Sequence, residues 1–160
     1  MINTLIKLLN KPTRLLQSLP EDIIALTARL AIATVFWRSV QTKISGWDFF
    51  GQSWQFYNLN DSTFMLFQFE YGVPLLYYKV AAYLATFNEF FLSLAIILGF
   101  LTRLSALALF GMTMVIQLFV YPDAWPTHVI WAAALLYLVK HGGGSLSIDK
   151  LITPPKVSFL

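Results

Sequence analysis

Arg29, Arg38, Glu89, Gln117 and His128 all fall inside stretches that are otherwise apolar enough to lie in a bilayer. An arginine at mid-helix costs about 2.5–3.5 kcal/mol on insertion scales, so such groups persist where they pair, face a wet cavity or hold a ligand. Three chemistries are open to this set: an intramembrane ion pair, hydrogen bonding to a polar headgroup, and metal ligation. The last is excluded first. The chain has no cysteine and two histidines, and Met112 and Met114, two positions apart, point different ways on a helix. No metal site is expected. "HGGGS" at His141–Ser145 has neither the Gly-Lys-Ser/Thr of a P-loop nor the strand–helix setting of a dinucleotide fingerprint. Its glycines read as the stop of a helix. No Ser/His/Asp spacing argues for hydrolysis, so no catalytic residue is assigned.

The elements that must position these groups follow from composition. Of 160 residues, 58% are hydrophobic and only 12% charged, with a mean hydropathy of +0.65. A soluble domain is nearer a quarter charged. This chain needs the bilayer as solvent, and its net charge of +3 is too small and scattered for nucleic acid. Four windows approach the ~20 residues that cross a membrane: 22–44, 75–98, 103–121 and a short one at 125–140. The expected fold is an all-α, integral membrane four-helix bundle forming one domain over 1–160. The leucines and cations of 1–20 predict an amphipathic segment on the membrane surface. The stretch 46–74 predicts an aromatic outer loop, with "DSTFMLFQFEYG" as a short helix capped by Asp61 or Ser62 and stopped by Gly72. With four alternating spans, Lys7, Lys11, Arg14, Arg103, Lys140, Lys150 and Lys156 share one side, opposite Asp48, Asp61, Glu70 and Asp123. The positive-inside rule then makes both termini cytoplasmic, which in a bacterium means the inner membrane.

Periodicity suggests where the polar groups point. At ~100° per residue, Thr27, Ala31, Thr34, Arg38 and Gln41 share a small-polar face of the first span, which predicts that Arg38 looks into the bundle. Lys43 is expected to snorkel to the outer interface. Glu89 falls at a depth between the two arginines, nearer Arg29, predicting an Arg29–Glu89 pair. Arg38, Gln41, Gln117, Tyr121 and His128 form an outer layer beneath the aromatic loop and its Glu70. That layer is the expected ligand site. The small faces at Ala81–Ala82 and Ala132–Ala134 suit packing within one chain or between copies in a homo-oligomer.

"ARLAIATVFWRSVQTKI", Glu89, "LGFLTRLSALAL" and "GGGSLSID", in that order and across the four spans, resemble the DoxX family. The ordered residues are Arg29, Lys43, Glu89, Gly99, Arg103, Ser147 and Asp149. "FWRSVQTK", "MVIQLFVYPDAWPTH" and the aromatic insertion resemble a subgroup encoded beside enzymes that modify copper-binding peptides. The resemblance implies a multi-pass membrane protein, with some relatives serving quinone-linked oxidoreductases. Three functions stay open. One is a redox-linked accessory protein whose Arg38, Gln117 and His128 donate to a quinone-like headgroup. The others are a membrane component for maturing, exporting or retaining a modified metal-binding peptide, together with its biosynthetic enzymes, and a small-solute transporter acting as an oligomer.

Overall fold

A computed structural model of the protein describes residues 19–74 and 76–153. The surface segment expected over 1–20 therefore lies, except for Leu19 and Pro20, outside the described residues, as do Lys7, Lys11, Arg14 and Lys156. Helix α1 spans Glu21–Gln41, opened by Pro20 and by Glu21 and Asp22, whose charges suit a helix N-terminus. A two-residue ribbon follows, β1 (Asp48–Phe49) against β2 (Gln52–Ser53), turned at Phe50–Gly51 with both in the left-handed region. Then come α2 (Asp61–Met65) running into a π turn at Leu66–Tyr71, and α3 (Tyr78–Leu98). Next are α4 (Thr102–Val115), widening into a second π turn at Ile116–Val120, α5 (Trp125–His141) and the short α6 (Ile148–Ile152).

Three of these helical stretches are long and apolar enough to cross a bilayer: Glu21–Gln41, Tyr78–Leu98 and Thr102–Val120. The protein is an all-α membrane protein carrying one very small ribbon. The fourth long helix, α5, has 17 residues, fewer than the ~20 a crossing requires. The four long helices close into a ring in which α1 touches α3 and α5, and α4 touches α3 and α5. One apolar cluster, around Phe36, Ile96, Leu109 and Leu135, fills the ring towards the α6 end. Another, around Val40, Phe67, Ala82 and Phe90, sits beneath the loop between α1 and α3. The short helix of that loop starts after Asn60 rather than at an Asp61 or Ser62 cap, because the Asn60 amide reaches back to the Thr42 carbonyl at 3.3 Å.

The inward face of α1 is not the one its small polar residues suggest. Thr27, Ala31, Thr34 and Arg38 are exposed, and Ala25, Arg29, Ile32, Ala33, Phe36 and Val40 are buried. The hydroxyls explain the reversal. Thr27 donates to the Ile23 carbonyl at 2.8 Å and Thr34 to the Leu30 carbonyl at 2.7 Å. Each is satisfied by its own helix and loses nothing by facing outward.

Arg29 is the structural knot of the α6 end, 2% exposed. Its Nε donates to the Ile96 carbonyl at 2.9 Å, Nη1 to those of Gly143 (3.0 Å) and Leu146 (2.6 Å), and Nη2 to that of Ile97. Two of these carbonyls belong to the last turn of α3: that of Ile96 shares Arg29 with the Gly99 amide at 3.1 Å, and that of Ile97 has no helical N–H within reach. Asp149 completes the knot by accepting from the Leu101 and Thr102 amides at 2.7 and 2.8 Å, so a carboxylate caps α4. Gly99 lets these parts meet. Its φ is +69°, and a β-carbon there would stand 2.4 Å from Ser147 Cβ and 2.9 Å from Arg29 Cζ. Gly99→Ala is therefore expected to cost at least the roughly 1–3 kcal/mol of a strained backbone position, seen as a lowered melting temperature in detergent.

Candidate functional site

Between the two apolar clusters lies a cavity of about 420 Å³, within the range of small-molecule sites. All four long helices and both π turns supply part of its wall. Phe36 and Trp131 form an aromatic back, with ring centroids 5.8 Å apart. The two π turns bring Phe67 and Tyr71 from one side and Ile116 and Val120 from the other. Extra residues in a helical turn re-aim side chains, and such turns recur at functional sites.

The polar wall is built on Lys43 and Glu89. The ammonium donates to both carboxylate oxygens, at 2.8 and 3.1 Å, and to Ser39 Oγ and the Ser39 carbonyl at 2.5 and 3.2 Å. Lys43 is 7% exposed and Glu89 4%. Here the expected geometry is corrected twice. Glu89 pairs with Lys43 and not with Arg29, whose donors are taken by four carbonyls nearer the α6 end. Lys43 turns inward while Arg38 points away from the bundle. The cause is which face of α1 turns inward. Lys43 is in phase with buried Arg29, Phe36 and Val40 at ~100° per residue, and Arg38 lies on the opposite side. The helix ends at Gln41, but the Lys43 and Ile44 amides still bond the Val40 carbonyl, at 2.9 and 3.2 Å, which keeps that phase. Arg38, close to the helix end, has the stem to reach the headgroup layer.

The other expected site residues fall into two pairs and an anchor. His128 Nδ1 meets Gln117 Oε1 at 2.7 Å, and Gln117 Nε2 donates to the Pro122 carbonyl at 2.7 Å. The carbonyl fixes which way the amide faces, so Nδ1 carries the proton and the neutral ring keeps Nε2 as an acceptor. Tyr121 donates to Glu70 Oε1 at 2.6 Å, and its ring lies 5.7 Å from that of Tyr71. The Glu70 carboxylate holds the Tyr121 phenol well above the usual tyrosine range, and burial raises that of Tyr71. Both stay protonated at any physiological pH. Tyr121 and His128 line the cavity, braced by Glu70 and Gln117. Gln41 instead exchanges hydrogen bonds with the Ser53 backbone, at 2.7 and 3.2 Å, and pins the ribbon to α1. Sequence reasoning missed Ser39, Lys43, Tyr71 and Asn88 as lining groups. One signal pointed to Lys43: a carboxylate at mid-span needs a cation, and a lysine stem can fold either way from a helix end.

The family model for DoxX matches residues 24–122, more than half of the chain. The chain belongs to the DoxX family. No curated protein and no solved structure matches it. The DoxX match covers most of α1, the loop between α1 and α3, and both π turns, and so includes Lys43, Glu89, Tyr71 and Tyr121. The His128 and Trp131 wall, on α5, lies beyond it.

Proposed function

We propose that this DoxX protein is a redox-linked accessory protein that holds a quinone or quinol ring in the cavity between α1, α3, α4 and α5. The observation that carries the reading is a closed polar pair inside an aromatic chamber. Lys43 and Glu89 neutralise each other, so the site suits a neutral ring rather than an ion. Phe36, Phe67, Tyr71 and Trp131 supply faces for stacking. A ligand hydroxyl has two acceptors to choose from, the Glu89 carboxylate and His128 Nε2, which favours the reduced form. Arg38 has no part in it.

The same reading sets the protein in the bacterial plasma membrane with α5 as a fourth crossing, shortened by local thinning. Arg103, Lys140 and Lys150 would lie on the cytoplasmic side, and Asp48, Asp61, Glu70 and Asp123 outside.

Thermal unfolding in nanodiscs tests the site. Added quinol should raise the melting temperature of the wild type and, undiminished, of Arg38→Leu. His128→Phe, which keeps a ring against Trp131, should lose most of the shift. Wild type that does not respond to quinone or quinol, and carries none after lipid extraction, removes the proposal.

A further inference from the structure

The bundle leaves one side of the cavity open. Leu84 and Asn88 lie one turn apart on α3, and Ala108 and Val115 two turns apart on α4. All four line the cavity and are exposed at the same time. A residue meets both conditions only on a rim. Counted at about 1.5 Å per residue from the turn joining the two helices, Asn88 stands level with Met112, and Leu84 with Val115. The four therefore border one slot between neighbouring antiparallel helices, at the depth of hydrocarbon. Leu76 and Tyr121, also exposed lining residues, continue that rim to the helix ends. On the loop side the chamber is covered instead by buried Phe67 and by Tyr71, braced against Tyr121 and Glu70.

Volume decides what the slot is for. About 420 Å³ holds a substituted ring, near the lower end of small-molecule pockets, and has no room for a long hydrocarbon chain. We propose that the α3–α4 slot is a lateral gate: the ligand enters from the bilayer and leaves its tail there. The ligand class is then a tailed, membrane-dissolved ring compound, not a water-soluble one. This rests on the cavity being a ring site. Asn88 fits the role, since its amide at the rim meets the ring oxygens as they pass, where facing lipid alone would leave it unpaired. Ala108 fits too, because its small side chain keeps the slot wide.

Binding of a polyprenyl benzoquinol and of the same ring without its tail should be compared in nanodiscs, for wild type, Ala108→Trp and Leu84→Trp. The two tryptophans narrow the slot from opposite rims, and thermal melts confirm that each variant folds. Both should weaken the tailed ligand by about tenfold or more beyond whatever they cost the tail-less ring. Folded variants that bind both ligands as wild type does, or lose both equally, overturn the gate and leave the ring site standing. Wild type that binds neither ligand overturns the ring site, and the gate with it.

Discussion

Arg29→Met is expected to leave almost no folded protein in the membrane. The side chain is replaced by one of similar length, so packing volume is largely kept and the loss falls on hydrogen bonding. Three carbonyls, those of Ile97, Gly143 and Leu146, would lose their donor, and that of Ile96 would keep only the Gly99 amide at 3.1 Å. Each unsatisfied buried group costs about 1–3 kcal/mol. Taken at the middle of that range the three sum to about 6 kcal/mol, comparable to the whole stability of a marginal fold. The ends of α3 and α5 would separate from α1 together, because one guanidinium joins all three. Arg29→Lys should fail nearly as badly: an ammonium has three donors on one atom and cannot span carbonyls on two segments. Fluorescence-detected size exclusion after mild heating reads this out as loss of the monodisperse peak. If Arg29→Met melted within a few degrees of wild type, the guanidinium would not be the knot that its contacts describe.

That residue shows what the sequence could and could not reveal. Apolar length identified the membrane class and the three long spans, because hydrocarbon thickness is a one-dimensional constraint. Facing is a different matter. The Thr27–Thr34 stripe looked polar by residue type, yet its hydroxyls are satisfied within their own helix. A residue's polarity and its unmet demand for partners are different quantities, and only the second drives burial. Arg29 carries five donors and cannot satisfy them locally, so it went inward with the apolar residues around it. Lys43 was misjudged for the same reason. Taking the Thr27–Thr34 stripe as the inward face put Arg38 inside and Lys43 outside, and the buried face through Arg29, Phe36 and Val40 reverses both. The two π turns left no trace in the pattern. They shift phase by one residue in short stretches of aromatic and branched side chains, where a period of 3.6 is hard to tell from its neighbours. The pairs at the loop end of the cavity, Gln117 with His128 and Glu70 with Tyr121, lay within reach of depth counting because each residue sits near a helix end.

The Lys43–Glu89 pair separates a structural strut from a functional wall. Glu89→Leu alone leaves a buried ammonium with Ser39 as its recorded partner, and removing one partner of a buried pair typically costs about 3–5 kcal/mol. Lys43→Met alone strands the carboxylate and should cost as much, unless Glu89 takes up a proton. Replacing both removes the desolvation of two ions along with their attraction. The double variant, Lys43→Met with Glu89→Leu, is therefore expected to regain most of the lost stability, leaving a coupling of several kcal/mol around the cycle. Binding should not recover with it. With a thioether and an isobutyl group in place of the pair, the cavity still offers aromatic faces but has lost the carboxylate that accepts a ring hydroxyl. Quinol should no longer raise the melting temperature of that variant. Stability restored without binding would mean that the pair is kept for the ligand's sake. A double variant that binds quinol as wild type does would reduce the pair to a clasp between the end of α1 and α3, with Ser39, Tyr71, Asn88, Tyr121 and His128 left as the polar lining.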